Sequence, residues 1–406
     1  MTVQDRMVAT ERAEADWLRQ SRADWQKRLA ATPAPTGQEE EWRRTSLEGF
    51  PWEAPVAEPS HTSHELPEHL AAAGVVFGDL ATVASDQPEL VGRFLGKRQT
   101  LDSHAHFWAR AHADWRGGTF LFVPRGVTVD ETLVARIDLG AEAAAFLPIS
   151  LVVAEEGSSV TLLEETRSAD GVAASYGGIS DVVAGQVSRV RYANLQRLGD
   201  AAWNIGVQRV EVGQDADVIT LNAEVGSATT KLGVDMRMTG KGGTSRLLGL
   251  LAAGGSQHID INSVQDLIGS HTTSDLLYLS ALYDEAHAAF YGVTRVRKEA
   301  KGTSSYQECR NLLLSRKAGA EPIPVLEIET NDILRCGHGA TAGAIDPVQR
   351  FYAQSRGLSA DEAERMIVRG FFEQVVAQLP SETIRQSVLG ALAARIGSDF
   401  EGEVAA

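Results

Sequence analysis

The sequence predicts a mainly β protein, a right-handed parallel β-helix flanked by an N-terminal helical region and a C-terminal helical domain. Glycines recur at a nearly constant spacing through the middle of the 406-residue chain. Short β-branched runs lie between them, bounded by Gly, Asp, Asn or Ser. Helix-forming composition and capping patterns stand on either side. We therefore divide the chain into residues 1–116, 117–345 and 346–406.

The first segment combines helical signals with one linker-like stretch. Thr10–Ala31 is rich in Ala, Glu, Arg, Leu and Gln, which predicts a helix that ends before Pro33. Leu101–Trp115 predicts a further helix, and we interpret its three histidines as surface or packing residues. The Pro-, Ser- and His-rich stretch 51–67 is typical of a linker.

The glycine spacing indicates a repeated structural unit in the middle segment. Five glycines follow one another at one constant interval: Gly157, Gly171, Gly185, Gly199 and Gly213. An interval of about 14 residues holds one strand and one turn, so two halves make a coil of about 28 residues, and stacked coils form a parallel β-helix. The segment 117–345 has room for roughly eight coils, on the order of 40 Å. An antiparallel sandwich with regular hairpins fits the same spacing and stays open.

The last segment carries three helix signals. Asp346 and Pro347 combine an N-cap with proline at the first helical position, and Gly357 ends that helix. Ser359 and Glu362 form the pattern of a capping box for a second helix. A third helix follows close to the C-terminus. Together they make up the predicted C-terminal helical domain.

Composition and charge indicate which partners the protein avoids and in which cell compartment it is expected. The formal net charge is -16, which disfavours nucleic acid and anionic membrane surfaces as partners. We expect no secretion signal, because no apolar core follows a basic start, and no apolar run reaches the roughly 20 residues of a membrane span. Two cysteines are too few for a disulfide-stapled secreted protein, so we expect a cytoplasmic one.

Short motifs give no indication of an enzyme. The chain lacks a phosphate-binding Gly-x-x-x-x-Gly-Lys-Ser/Thr loop, so we expect no ATP hydrolysis by this chain itself. It also lacks His-Glu-x-x-His, Cys-x-x-Cys and Gly-x-Ser-x-Gly. We therefore predict a non-enzymatic protein.

Two cysteines and one histidine near the end of the predicted β-helix are the candidate metal ligands. Cys309 precedes Cys336 and His338 by about one coil length, so neighbouring coils would carry them. Cys336 and His338 share strand parity and are predicted to face the same side. Thiolate and imidazole suit iron or an iron–sulfur cluster, but three donors are too few for a closed site, so further ligands would come from another subunit. Inert core packing is the alternative.

Two runs near the C-terminal end form a distinctive signature. They are HGATAGAID, which begins at His338, and FYAQSRGL, which begins at Phe351. The surrounding segment, Tyr306 to Val376, resembles the C-terminal part of the SufB/SufD family of iron–sulfur cluster assembly proteins. Gly339 stands where SufB-like chains carry Glu, so the chain resembles the SufD-like branch. Cys309 departs from that branch, because it stands where SufB-like chains keep a functional cysteine.

The resemblance implies a scaffold subunit of a SufBCD complex. Such a subunit pairs with a SufB-like chain through the β-helix and binds a SufC-like ATPase through its C-terminal helices. His338 would face the shared seam, where the complex holds a transient iron–sulfur cluster or iron, and the chain alone would bind no cofactor stably. A homodimer in isolation is also possible. The region that contacts the ATPase would include Phe351, Tyr352 and Arg356.

Two other functions fit a β-helix. One is a carbohydrate-active enzyme, which needs clustered carboxylates on one exposed strand face. Asp215, Asp217, Asp260 and Asp266 are available, but nothing in the sequence sets them at a shared coil position. The other is a purely structural homodimer joined through β-helix ends, in which Cys309 and His338 have no chemical role.

Overall fold

Two long sheets form the framework of the molecule, which the computed structural model describes over residues 16–140, 143–379 and 381–396. Eight strands of sheet one and eight of sheet two run parallel to their sheet neighbours and alternate along the chain. Each passage through both sheets is one coil, so the strands wind into a β-solenoid of eight coils. The predicted mainly β solenoid with helices at both ends is confirmed, and the antiparallel sandwich is wrong.

The strands keep one order in each sheet, so the coils stack without crossing. Sheet one contains β3 Val76–Asp79, β4 Gly118–Val123, β7 Ile149–Ala154, β10 Ile179–Ala184, β12 Trp203–Val212, β14 Thr229–Met238, β16 His258–Leu267, β18 His287–Val296 and β20 Gly319–Ile328, with the short β1 Val56–Ala57, β6 Ala145–Phe146 and β9 Ser175–Tyr176 beside them. Sheet two contains β2 His61–His64, β5 Thr128–Asp138, β8 Ser159–Arg167, β11 Arg189–Arg197, β13 Asp217–Glu224, β15 Thr244–Ala253, β17 Thr273–Leu282, β19 Thr303–Leu313 and β21 Ile333–Ala344.

The corners of the coils explain the glycine period. Gly157 adopts a φ of +68°, and its amide donates to the carbonyl of Gln186 at 2.8 Å, one coil later. Gly240 is needed for another reason, since a Cβ there would lie 1.9 Å from the backbone nitrogen of Gln214. Val187 occupies a left-handed corner in the next coil with a φ of +58°, so the corner geometry persists where the glycine does not.

The solenoid interior is filled by alternate residues of both sheets. Val152, Val182 and Val210 of sheet one meet Leu162 and Leu247 of sheet two in a single continuous core. Aliphatic side chains at matching register positions stack coil upon coil, which removes apolar surface from water along the whole length of the solenoid.

Helices cover the outer faces of the two sheets. Trp25 and Trp108 of the N-terminal helices pack on sheet one, and Phe372 and Val388 of the C-terminal helices pack on sheet two. The predicted caps are present: Asp346 accepts from the amide of Val348, and the capping box of the following helix is complete. The helices are α1 Asp16–Ala31, α2 Glu68–Ala72, α3 Leu80–Asp86, α4 Pro88–Gly92, α5 Ala105–Asp114, α6 Pro347–Ser355, α7 Ala360–Val376 and α8 Glu382–Ile396. The predicted start of the first helix, before residue 16, lies outside the described residues.

The two ends of the solenoid differ. At the first coil, β2 and β3 pair antiparallel with β5 and β4, and Leu70 and Phe77 enter the interior core. The stretch 51–67 is therefore not a linker, because its two short strands enter the sheets: β1 pairs with β6, and β2 pairs with β5 and ends sheet two. At the last coil, β20 and β21 end the two sheets, and within the described residues no element comparable to α2 covers the interior beyond them, so the inward-facing Ala340 and Ala342 are exposed. That end of the solenoid is open.

Candidate functional site at the open end of the solenoid

The last two strands of sheet two, β19 and β21, carry the candidate ligands. Burial alternates strictly along most of β19, so Gln307, Cys309 and other odd-numbered residues point into the solenoid. The register pairs Gln307 with His338 and Cys309 with Ala340. His338 and Cys336 therefore lie on the interior-facing side of β21, as their shared parity predicted. Because no further coil of the described chain stacks on β21, the inward-facing side chains of this strand are accessible at the end of the solenoid.

Cys309 is sealed beneath the last coil. Its side chain is 5% exposed and belongs to the interior core, between its register partners Tyr278 and Ala340. Burial raises the pKa of the Cys309 thiol to about 12, although a hydrogen bond from Asn311 opposes the shift. At neutral pH the thiol is protonated and is a poor nucleophile or metal ligand.

Cys336 and His338 are more accessible than Cys309. Cys336 is half-buried against the edge of the interior core, and burial raises the pKa of its thiol. His338 is exposed on the terminal strand. Both side chains reach the open end directly, so a second protein that met this end would contact them first.

The three candidate ligands do not form one closed site. Neighbouring strands carry them, as predicted, but the local coil is longer than the predicted average, because Cys309 pairs with Ala340 and not with His338. His338 is offset from Cys309 by two positions along the strand, about 8 Å between Cα atoms, and Cys336 by four. Within the described ranges, no three His, Cys, Asp or Glu side chains are grouped closely enough to hold a metal ion.

The sequence analysis missed the residue that ties the last coil to Cys309. The Asn311 side chain donates to the carbonyl of Thr341 on β21 at 2.9 Å and lies 3.6 Å from the Cys309 sulfur. Its own Oδ1 accepts from Ser280 one coil earlier. Asn311 is two residues beyond Cys309, so strand parity alone could have placed it on the same inward face.

Comparisons with known proteins place this architecture in a family. The family model described as "SUF system FeS cluster assembly, SufBD core domain" matches residues 137–371, more than half of the chain. The chain belongs to the SufBD family. Proteins named iron–sulfur cluster assembly SufBD family protein from Staphylococcus saprophyticus, Staphylococcus epidermidis and Staphylococcus aureus are each 26% identical to it over 320 residues, which cover 79% of this chain and 68% of each relative.

The SufBD match includes the open end, α6 and most of α7, where apolar side chains reach the surface. On α6, Phe351 is 71% exposed and Tyr352 is 59% exposed, while Arg356 donates to the Tyr352 hydroxyl at 2.9 Å. Between α6, α7 and the end of sheet two lies a groove of about 760 Å³, lined in part by Met366 and Phe371. Of the three residues predicted to contact a partner, Tyr352 lines this groove and Arg356 contacts the Tyr352 side chain, whereas Phe351 lines a separate pocket with Leu313 and Ile345.

Other expectations for this SufBD family chain concern its histidines and membranes. The side chains of His104 and His112 are buried among aromatic rings, so they are packing residues. Burial lowers the pKa of His104 to about 3 and that of His112 to about 4. In the part of the chain that the structure describes, no helix is both long enough and apolar enough to cross a bilayer.

Proposed function

We propose that this chain is a SufD-like scaffold subunit of a cytoplasmic iron–sulfur cluster assembly complex, without enzymatic activity of its own. Its open solenoid end joins a SufB-like subunit, and His338 and Cys336 contribute to an assembly site at the seam, with Cys309 sealed one strand deeper. The observation that carries the proposal is the contrast between the ends. One is closed by β2, β3 and α2, while the other presents His338 on β21, whose outer edge has no strand partner among the described residues.

The open end has the chemistry of an interface. Among the described residues, the outer edges of β20 and β21 have no strand partner for their backbone donors and acceptors, and another sheet edge can satisfy them. Ile328 is 42% exposed and Leu334 is 79% exposed at the turn between these strands. Exposed apolar side chains beside unpaired strand edges favour a protein partner over open solvent.

A site shared between two subunits explains why the candidate ligands of this chain do not form a closed site. A nascent iron–sulfur cluster is the cargo of such a site and needs about four thiolate or imidazole donors. This chain offers His338 and Cys336 at the surface and keeps Cys309 protonated one strand deeper. The missing donors would come from the SufB-like subunit, so each subunit alone is chemically incomplete.

The surface of α6 and α7 suits the ATPase. Val348 and Tyr352 line the groove and are more than half exposed, Phe351 is 71% exposed on the same helix, and Met366 is 50% exposed at the groove wall. Apolar anchors surrounded by charged residues are typical of protein-binding surfaces. We propose this surface as the contact for a SufC-like ATPase.

Competing functions receive less support. Three of the four carboxylates considered for a carbohydrate-active site are held in ion pairs: Asp260 with Lys231 at 2.6 Å, Asp266 with Arg297 at 2.8 Å and Asp217 with Arg191 at 2.5 Å. A carboxylate engaged in this way is not free to act as general acid or nucleophile.

The test is anaerobic co-expression of this chain with a SufB-like chain and a SufC-like ATPase. We expect a complex whose visible absorption shows an iron–sulfur cluster after supply of iron and sulfide. His338→Ala should retain both partners and lose most of the cluster absorption. His61→Ala, at the capped end, is the matched control and should behave as the wild type. A complex with full cluster absorption in His338→Ala would refute the site assignment, and failure of the wild-type chain to bind either partner would refute the function.

A further inference from the structure

The two strands that end the solenoid expose different sets of backbone groups. In a parallel sheet, successive residues direct their N–H and C=O groups alternately to the two neighbouring strands. On β20, the amides of Gly319 and Glu329 donate to the carbonyls of Ala286 and Val296 on the β18 side. The odd-numbered residues of β20 therefore face β18, and the even-numbered residues face the free edge.

Two of those free-edge positions on β20 are prolines. Pro322 and Pro324 are even-numbered residues in the middle of the strand. Proline has no N–H, so the centre of this edge cannot donate to an added strand. Acidic side chains flank the prolines, with Glu321 3.2 Å from His287 and Glu327 paired to Arg295 in the preceding coil. Prolines and charges on an edge strand oppose further strand pairing.

The free edge of β21 has no such interruption. The amides of Ser304 and Leu314 donate to β17, so the odd-numbered residues of β19 face β21. In a parallel pair, a residue bonds to the two residues on either side of its register partner. The register partners of the odd-numbered β19 residues are even-numbered, so the β21 residues that bond to β19 are odd-numbered. The even-numbered residues therefore face outward, and from Cys336 onward every one of them has an N–H: Cys336, His338, Ala340, Ala342 and Ala344.

Side-chain size on β21 also permits close approach. Most of its residues from Gly337 onward are Gly, Ala or Thr. Ala340 and Ala342 face the interior at its open end, and both are exposed, since no further coil covers them in the part of the chain that the structure describes. An incoming strand would meet small side chains and an unbroken row of free-edge amides. The edge that carries His338 is therefore the pairing-competent one.

We propose that the partner adds a strand to sheet two alone, hydrogen-bonding along the free edge of β21, while the proline-blocked edge of β20 contacts the partner through side chains only. The occupant is an extended edge strand of another β-solenoid chain, the SufB-like subunit, so the inference rests on the proposed function. Such pairing fixes the partner's strand beside His338 and Cys336 in one register, which is what a site with shared ligands requires.

A pair of alanine-to-proline substitutions tests this asymmetry. Ala342→Pro removes one free-edge amide from β21, and Ala320→Pro removes the equivalent amide from β20. Neither position supplies an amide to the neighbouring strand of its own chain, so both variants should fold, which circular dichroism and thermal unfolding will check. Ala342→Ser keeps the N–H and serves as the matched control, and Ala340→Pro repeats the test at the neighbouring free amide.

The readout is the dissociation constant of the complex with a purified SufB-like chain, measured by biolayer interferometry. We expect Ala342→Pro and Ala340→Pro to weaken binding at least ten-fold, because each leaves a buried carbonyl of the partner unpaired. Ala320→Pro and Ala342→Ser should stay within three-fold of the wild type. Equal losses for Ala320→Pro and Ala342→Pro, or tolerance of both β21 prolines, would overturn the inference while leaving the proposed function intact. If the wild-type chain binds no SufB-like chain, both the proposed function and the proposed strand pairing at β21 are refuted.

Discussion

Removal of the Asp260 carboxylate should destabilise the protein by several kcal/mol, because it leaves a sealed lysine without its counter-ion. Lys231 and Asp260 are register partners on β14 and β16, with side chains 0% and 1% exposed and 2.6 Å between Nζ and Oδ2. The turn 39–45 covers the pair: Thr45 donates to the same carboxylate oxygen at 2.6 Å, and the Trp42 ring centroid lies 5.2 Å from the ammonium. The pair therefore holds an N-terminal turn on sheet one.

The magnitude follows from two limits. Breaking a buried ion pair by removing one partner costs about 3–5 kcal/mol. Burial already lowers the pKa of Lys231 from 10.5, and without Asp260 the pKa falls further. The Lys231 ammonium can then lose its proton in the folded state, which lowers the free energy of unfolding by at most about 5 kcal/mol at pH 7 and about 2 kcal/mol at pH 9. We therefore expect Asp260→Ala to cost about 4 kcal/mol at pH 7 and about half that at pH 9.

Urea unfolding followed by tryptophan fluorescence measures this cost, because Trp42 contacts the ammonium. With a slope of about 3 kcal/mol per M, the midpoint should fall by about 1 M at pH 7. The matched control is Lys231→Met with Asp260→Asn, which removes both charges, keeps an acceptor for Thr45 and should recover more than half of the loss. A cost below about 1 kcal/mol at pH 7, or an equal cost at both pH values, would refute the reasoning.

Two further predictions concern buried titratable groups. Burial raises the pKa of Glu224 to about 7, and a hydrogen bond from Asn204 partly opposes the shift. The contribution of the protonated Glu224 side chain to the free energy of unfolding is therefore complete below pH 4.5 and is lost as the pH rises through 7. Glu224→Gln should therefore gain about 3 kcal/mol at pH 8 and almost nothing at pH 4.5 in urea unfolding; an equal gain at both would contradict this. In thiol labelling with an aromatic disulfide at pH 8, Cys336 should react at least 100-fold faster than Cys309; similar rates in Cys309→Ala and Cys336→Ala variants would contradict the burial argument.

The corners of the solenoid show why the sequence pattern was informative but imprecise. Glycine is needed where φ is positive or a Cβ would collide, so its regular recurrence marked the coils. Coil length nevertheless varies, since Val207 on β12 pairs with Gly233 in a short coil, whereas Val293 on β18 pairs with Val325 in a long one. Corner loops lengthen and shorten without disturbing the strands, so an average coil length could not align Cys309 with its true neighbour.

The capped end shows a second limit. Residues 51–67 have the composition of a linker, yet β2 pairs with β5 and completes sheet two. A short edge strand such as HTSH has no period long enough to detect, and its strand state depends on the sheet edge that it meets. Tertiary context therefore decided the structure of this stretch.

The sequence by itself determined the solenoid, the C-terminal helix caps and the shared face of Cys336 and His338, because glycine geometry, capping hydrogen bonds and strand parity are local. The tertiary structure alone decided that one end is closed and the other open, and that Cys309 is sealed while His338 is exposed. Those properties depend on which elements the rest of the chain brings to each end, because a strand's own residues decide whether its edge can be paired but not whether the chain supplies a cover for it.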